Sequence, residues 1–497
     1  MEFAQLLSSV SSLTACTLLA LVSLSRFFEL VSLLTAIARV LRPVVRQAPN
    51  RLVFNTLQAL QDIFLQPTVT KGYAYHMSQL RSRFPSIFNA LDKDQHRRKR
   101  RIIGQAISDR SMRSFEPTMI TQIDIFLRQI LEKSKADGVV NMSVLSQRLG
   151  IDIIMLLAFG FGLNTQTEET YRPMLPIIDE LSWRINNYMQ FPLIKPIEQL
   201  FAKLGFAKAI KFQALVHTMI KTRMAQDADA HHDLYAIVAG HMSKENQDFL
   251  RGELWPEATF FIMAGMWGST ATTAITAAFF YLSRNPGCYK QVCNEIRSRF
   301  NSADEIVSGP KLASCHYLKA CIDETFRMSP STTGMLWREQ APKKDGDEVP
   351  FIVDGHNIPR GTQVGVNLYS FFHNEEYFPD SFDFKPDRWL ESDFDTAEQK
   401  QARDTMRKAF VPFSLGDRSC AGKAMGMLEM SLTLARTLWF FDFETALGDP
   451  GKAGGGQAGR TDGRGRPHEF QLYDMFVASH DGPNLVFRPR GDFCKAL

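Results

Sequence analysis

The residues with the sharpest chemical content lie in one short loop, Phe413-Ser-Leu-Gly416-Asp-Arg418-Ser-Cys420-Ala-Gly422. Cys420 stands between two glycines, close to an arginine, and just before a stretch of apolar helical periodicity at 424–438. Glycine lets the backbone turn tightly around the sulfur and aim N–H groups at it. Such donors stabilise a thiolate and tune a metal that it binds. Phe413 can shield the sulfur from water. Cys420 is therefore the candidate metal ligand, against the plainer reading of a small buried hydrophobe. The total of seven cysteines is odd and their spacing irregular, with no C-x-x-C pair. That points to a reduced compartment without a disulfide framework.

Other groups have weaker signals. Glu324 and Arg327 are three apart in a helical run, 318–328, so they share a face and can pair. Alone, such a pair reads as a solvated surface contact. The run His96-Arg-Arg-Lys-Arg100-Arg101 reads as a solvated basic face or a nucleic-acid patch. His96 and Arg100, four apart, can also donate together to one carboxylate. From 258 to 283 the chain carries no charge, yet Gly265, Gly268, Ser269, Thr270, Thr272, Thr273 and Thr276 cluster in the middle. Polar groups there suit a buried helix passing a ligand pocket better than a helix in lipid.

At all five fixed positions the cysteine loop matches F-x-x-G-x-R-x-C-x-G, and in this the chain resembles the cytochromes P450, whose haem-binding signature this is. The resemblance implies haem b, with Cys420 as iron ligand and Phe413, Gly416 and Arg418 around it. It implies that Glu324 and Arg327 lock with Arg388, from Pro386-Asp-Arg388-Trp389, to hold the cysteine loop in place. Where the family often has W-x-x-x-R against the haem propionates, this chain has His96 and Arg100, as many fungal members do. Arg338 and Arg418 match two further propionate positions. The family's [AG]-G-x-[DE]-T-[TS] proton relay is imperfect here. Counting back from Asn285-Pro286 puts Ser269 and Thr270 at the acid–alcohol pair; counting forward from Ala264-Gly265 puts Trp267 and Gly268 there. Neither count finds an Asp or Glu. Thr270, with Ser269, is the expected relay.

What the resemblance implies for activity is insertion of an oxygen atom from O2 into an apolar small molecule. Electrons would come from NADPH through NADPH–cytochrome P450 reductase, since no flavin or nicotinamide motif is visible. Segments 282–289, 336–339 and 377–379 are similar to fungal secondary-metabolism and benzoate para-hydroxylase-like members. Pocket walls are expected before His96 and at 171–206, 261–270, 329–336 and 476–479. A haem-thiolate isomerase or dehydratase working without a reductase, and a non-enzymatic haem-binding membrane protein, are the other readings.

The elements that must position these residues are mostly helices. Helical periodicity runs over 119–135, 143–159 and 312–328, and strand-like pieces are short, at 51–55, 351–353 and 363–367. The expected fold is mainly α with small β-sheets, the cytochrome P450 fold, as a single haem domain over 43–497. Residues 449–466, rich in Gly, Arg and Lys, read as a mobile insertion. Residues 3–25 carry no charge and are followed by Arg26, Arg39, Arg42, Arg46 and Arg51. That predicts a transmembrane anchor over 1–26 with the rest on the cytoplasmic face, in the endoplasmic reticulum membrane; a cleaved signal peptide is the alternative. The family's proline-rich hinge before Arg46–Phe54 looks shortened. A formal net charge of only +4 gives no global field for nucleic acid.

Overall fold

The computed structural model describes residues 43–79, 84–136, 138–192, 194, 206–227, 233, 235–236, 256–261, 270–342 and 349–497. The expected anchor over 1–26 and Ser269 lie outside these residues.

Helices dominate. They are α1 (Leu57–Phe64), α2 (Lys93–Ala106), α3 (Asp109–Lys135), α4 (Met142–Phe159), α5 (Leu175–Gln190), α6 (Phe206–Met224) and α7 (Thr270–Arg284). Then follow α8 (Pro286–Arg299), α9 (Pro310–Ala313), α10 (His316–Met328), α11 (Leu368–Phe372), α12 (Ala397–Ala409) and α13 (Lys423–Phe440). The strands are short: β1 (Val44–Ala48), β2 (Arg51–Phe54), β3 (Val69–Lys71), β4 (Val140–Asn141), β5 (Arg338–Gln340) and β6 (Ile352–Val353). The others are β7 (His356–Asn357), β8 (Gln363–Val366), β9 (Phe441–Thr445), β10 (Tyr473–Met475), β11 (Val477–Ser479) and β12 (Asn484–Pro489). The largest sheet has the order β1-β2-β8-β5-β3, with β2 and β8 parallel. A second sheet is β4-β12-β9, and β10–β11 and β6–β7 are separate hairpins.

The core is built around α7. Every residue from Ala271 to Leu282 is buried, as an apolar sequence on all faces requires. It packs against α4, α10 and α13. Among the described residues α4 is long and apolar enough to cross a membrane, but 67% of that stretch is buried inside the protein, so it serves as a core helix. Its ends follow local rules. The Asn141 side chain accepts the Val144 N–H, and Gly160 adopts a left-handed φ of 57° that terminates the helix.

One expectation meets a different structure. The helical run over 312–328 is broken into α9 and α10, with Cys315 outside helical geometry (φ −79°, ψ 78°) at the junction. The cause lies outside the run: the Glu295 carboxylate on α8 accepts the N–H groups of Tyr317 (3.0 Å) and Leu318 (2.8 Å), capping α10 from a neighbouring helix. The stretch 449–466 folds back on itself. Gly456 donates to the Arg466 carbonyl (3.0 Å), Gln457 to that of Arg464 (2.9 Å), and Arg284 reaches in to the Gly451 carbonyl (2.7 Å).

Candidate functional site

The cysteine loop leaves α12 and enters α13 through a tight turn. Its shape is set by close backbone approach. Gly416 has φ of +68°, and a Cβ there would lie 2.2 Å from the Phe64 carbonyl oxygen at the end of α1. Only glycine fits that contact. The Ser419 N–H donates to the Gly416 carbonyl (3.0 Å) and the Cys420 N–H to that of Phe413 (2.8 Å). The Phe413 ring meets Phe326 of α10 edge-on, with centroids 5.2 Å apart.

Cys420 is solvent-accessible as a residue, yet enough protein surrounds its sulfur that burial dominates its acidity. Burial pushes the thiol above its ordinary range, while the Gly422 N–H and the charges of Arg100 and Lys71 pull it back. Those last three are the features that stabilise a thiolate.

Phe326 lies between two members of a buried ionic network. Glu324 and Arg327 are fully buried and pair bidentately, Nη2–Oε1 2.8 Å and Nε–Oε2 2.9 Å. Arg388 Nε donates to Glu324 Oε1 (3.2 Å), and so does the Lys385 N–H (2.9 Å). Trp389 Nε1 donates to Oε2 (3.0 Å). Arg327 also donates to the carbonyls of Phe372 (2.9 Å), Ser381 (2.6 Å) and Asp383 (3.2 Å). Each carboxylate oxygen is thus multiply satisfied, which a buried charge requires. The sequence reading had the two arginines; Trp389 as a direct partner of Glu324 was not foreseen.

On the other side of the loop lies a basin of basic side chains. His96 and Arg100 come from α2, Arg338 from β5 and Arg418 from the loop itself. A fifth, Lys71 of β3, is fully buried and was missed, because one lysine in a three-residue strand carries no sequence signal. Lys71 and Arg338 are cross-strand partners. Burial, then repulsion from Arg338, Arg418 and Arg100, holds the Lys71 pKa well below the ordinary lysine range. Burial and the same kind of neighbours push His96 down to about 2, so its imidazole is neutral. Lys71 Nζ donates to the Phe88 carbonyl (2.5 Å). Arg418 donates to the Ala90 carbonyl (2.7 Å) and to Thr70 Oγ1 (3.0 Å). Arg100 donates to the Ser419 carbonyl (2.6 Å), clasping the residue before Cys420. These anchors leave a dense positive field without a matching set of carboxylates among the described partners, only Asp92 and Asp417 contributing.

The third component is aromatic. Phe88 stacks on Phe260 at 5.3 Å and meets Phe476 edge-on at 5.4 Å. Phe476 sits at the tip of the β10–β11 hairpin with φ of +72°, pressed on Gly334, whose N–H donates to the Phe476 carbonyl (3.1 Å). The segments expected as pocket walls before His96, at 329–336 and at 476–479 therefore meet. Thr270 is exposed at the start of α7, and its carbonyl accepts the Ser331 hydroxyl (2.6 Å).

A family model described as Cytochrome P450 matches residues 44–455. The chain belongs to the cytochrome P450 family. Cytochrome P450 monooxygenase poxM of Penicillium oxalicum is 32% identical over 455 residues, covering 89% of this chain and 82% of the relative. A cytochrome P450 monooxygenase of Gibberella zeae is 33% identical over 420 residues, covering 83% and 93%. A cytochrome P450 crystal structure superimposes with a TM-score of 0.68 at 18% identity over 88% of this chain and 89% of the other, a likeness of fold. By this homology the P450 is an oxidoreductase, a haem-thiolate monooxygenase. The family implies haem b as cofactor, a reductase, O2 and a small-molecule substrate. The residues present fit that cofactor. One sulfur faces a backbone N–H, and the basin of basic side chains is the complement that a haem's two propionates need.

Proposed function

We propose that this P450 inserts one atom of O2 into a C–H bond of an apolar small molecule in fungal secondary metabolism, with electrons from NADPH through NADPH–cytochrome P450 reductase. The segments 282–289, 336–339 and 377–379 support a likeness to the benzoate para-hydroxylase-like members, with a polyketide, terpenoid or aromatic acid as substrate. The observation that carries the reading is Cys420, faced by the Gly422 N–H and within the field of Arg100 and Lys71.

Bound through Cys420, haem supplies a thiolate-ligated iron whose electron push favours O–O cleavage. The protein's own parts are these. Gly422 donates to the sulfur, Phe413 covers it, and Gly416 lets the loop lie against α1. His96, Arg100, Arg338 and Arg418, joined by Lys71, hold the propionates. Glu324, Arg327 and Arg388 fix the loop from behind. Thr270, with Ser269, moves protons on the substrate side. Phe88, Phe260 and Phe476 exclude water there and present an apolar wall. A membrane anchor over 1–26 holds the haem domain, 43–497, on the cytoplasmic face of the endoplasmic reticulum.

The test is a reduced carbon-monoxide difference spectrum of membranes carrying this chain. A strongly red-shifted Soret band, lost in Cys420→Ala, is expected. An unshifted band, or protein without a haem band, overturns the reading. The segment 264–273, free of Asp and Glu, keeps one second reading, a hydroperoxide isomerase; turnover of a hydroperoxide without NADPH would identify it.

A further inference from the structure

Oxygen insertion consumes protons as well as electrons: RH + O2 + NADPH + H⁺ gives ROH + H2O + NADP⁺. Cleaving the O–O bond needs two protons delivered to oxygen. In most enzymes a positioned acid does this, but residues 264–273 of the central segment contain no carboxyl group. Any carboxyl source therefore lies on another element.

A cavity of about 70 Å³ with a mixed polar and apolar lining lies between α4, α5, α7 and the β10–β11 hairpin. Gln147, Asp179, Ser182, Thr272, Ser479 and His480 contribute its polar lining. The volume has room for a few waters, each needing roughly 10–15 Å³, and is far too small for an organic substrate. Several of the lining groups are already engaged. Ser143 joins His480 Nδ1 (2.7 Å) and the Gly482 carbonyl (2.6 Å), and Ser182 donates to the Ile178 carbonyl (2.8 Å). Burial holds His480 near 4, so it contributes no positive charge at neutral pH. Among the described residues no Lys or Arg lines the cavity. Asp179 is its one carboxyl among the described residues, with a long 3.5 Å contact from Gln147 Nε2. Burial raises its pKa, so it keeps a proton more readily than a surface aspartate. It is half-buried, so it can be recharged from solvent. Thr272 meets the same cavity from the first turn of α7, two residues after Thr270.

We propose that Asp179 feeds protons into the central helix at Thr272, through water held in the cavity that the two residues share. In each transfer the Asp179 O–H bond breaks, a water O–H bond forms, and a proton is handed on at the Thr272 hydroxyl. The carboxylate then regains a proton from solvent. Asp179 acts through Thr272 and is a positioning residue for the proton supply. This rests on the monooxygenase reading above.

The experiment uses the full chain in membranes with reductase and NADPH, and needs no organic substrate. It reads hydrogen peroxide released per NADPH consumed, and the solvent isotope effect on NADPH consumption. Without a proton supply, reduced oxygen leaves as peroxide instead of water. Asp179→Asn and Thr272→Val are each expected to raise the peroxide share severalfold and to change the isotope effect, and Asp179→Glu to restore wild-type values. Both variants are near-isosteric, and each checks the other. An unchanged peroxide share in both, with wild-type carbon-monoxide spectra, overturns the proposal and leaves the monooxygenase reading standing. Failure of that reading shows separately, as a wild-type chain without the red-shifted band.

Discussion

Lys71 and Arg338 are paired in register across β3 and β5, two cations facing each other inside the protein. Like charges in cross-strand register are destabilising. Burial adds the cost of desolvating both. Such a pair makes physical sense when an anion sits between them.

Lys71→Met therefore separates binding from folding. A charge-assisted contact contributes about 1.5–3 kcal/mol, roughly a 10–100-fold faster loss of haem. The apoprotein should be no less stable, because a buried repulsion is relieved. Haem transfer to an excess of a scavenging haem protein, followed by the Soret band, reads the first effect; chemical unfolding of the apoprotein reads the second. Haem retention equal to wild type would remove Lys71 from the propionate set.

Glu324 accepts from Arg327, Arg388, Trp389 and the Lys385 N–H. Glu324→Ala leaves the buried Arg327 and the half-buried Arg388 short of their counter-charge, at a cost of about 3–5 kcal/mol. Trp389→Phe keeps an aromatic ring in a smaller form and removes one donor, the donor's loss costing about 1–3 kcal/mol. Thermal unfolding of both variants should rank them in that order. A Trp389→Phe protein as stable as wild type would mean that its Nε1 contributes nothing beyond packing.

Glu429, on α13 nine residues after Cys420, is buried, and its Oε1 has no hydrogen-bond partner among the described residues. Burial raises its pKa from 4.5 to about 8. The folded protein thus holds a proton that the unfolded chain gives up above pH 4.5, so this group costs stability increasingly from about pH 4.5 to 8. Glu429→Gln removes the cost. Near pH 7 the variant should be more stable by on the order of 2–3 kcal/mol, and the gain should vanish below pH 4.5. Urea unfolding at pH 4, 6 and 8 is the measurement, and a pH-independent difference would refute the assignment.

What could be read from the chain alone follows from how local each cause is. The cysteine loop is ten consecutive residues whose glycines and sulfur constrain one another, so its pattern survives in the sequence. Glu324 and Arg327 are legible as neighbours because helical geometry puts positions three apart on one face. The mainly helical fold is legible from long apolar periodicities. The break before His316 was not, because its cap, Glu295, is contributed by another helix. Lys71 was invisible for the same reason: its partners come from β5, α2 and the cysteine loop. Arg100 shares a helix face with His96, as spacing implies, but its guanidinium turns to the Ser419 carbonyl, a contact between residues 319 apart.

Gly416 gives the most direct test of how the loop is held. Two demands meet at this position. Its φ of +68° strains any residue with a side chain, and the Phe64 carbonyl occupies the place of a Cβ. The first costs about 1–3 kcal/mol. The second cannot be relieved by turning a side chain, since the obstacle is backbone at the end of α1. Gly416→Ala should therefore move the loop off α1. The turn that carries the Cys420 N–H to the Phe413 carbonyl would shift with it. The expected phenotype is specific: near-wild-type helix content by circular dichroism, with the red-shifted carbon-monoxide band replaced by an unshifted one or lost. Gly426→Ala is the control, because that glycine lies inside α13 and, among the described residues, nothing outside its own helix lies within 4 Å of a built Cβ. A normal band in Gly416→Ala would mean that the loop tolerates separation from α1, and that its geometry is fixed by the Glu324 network alone.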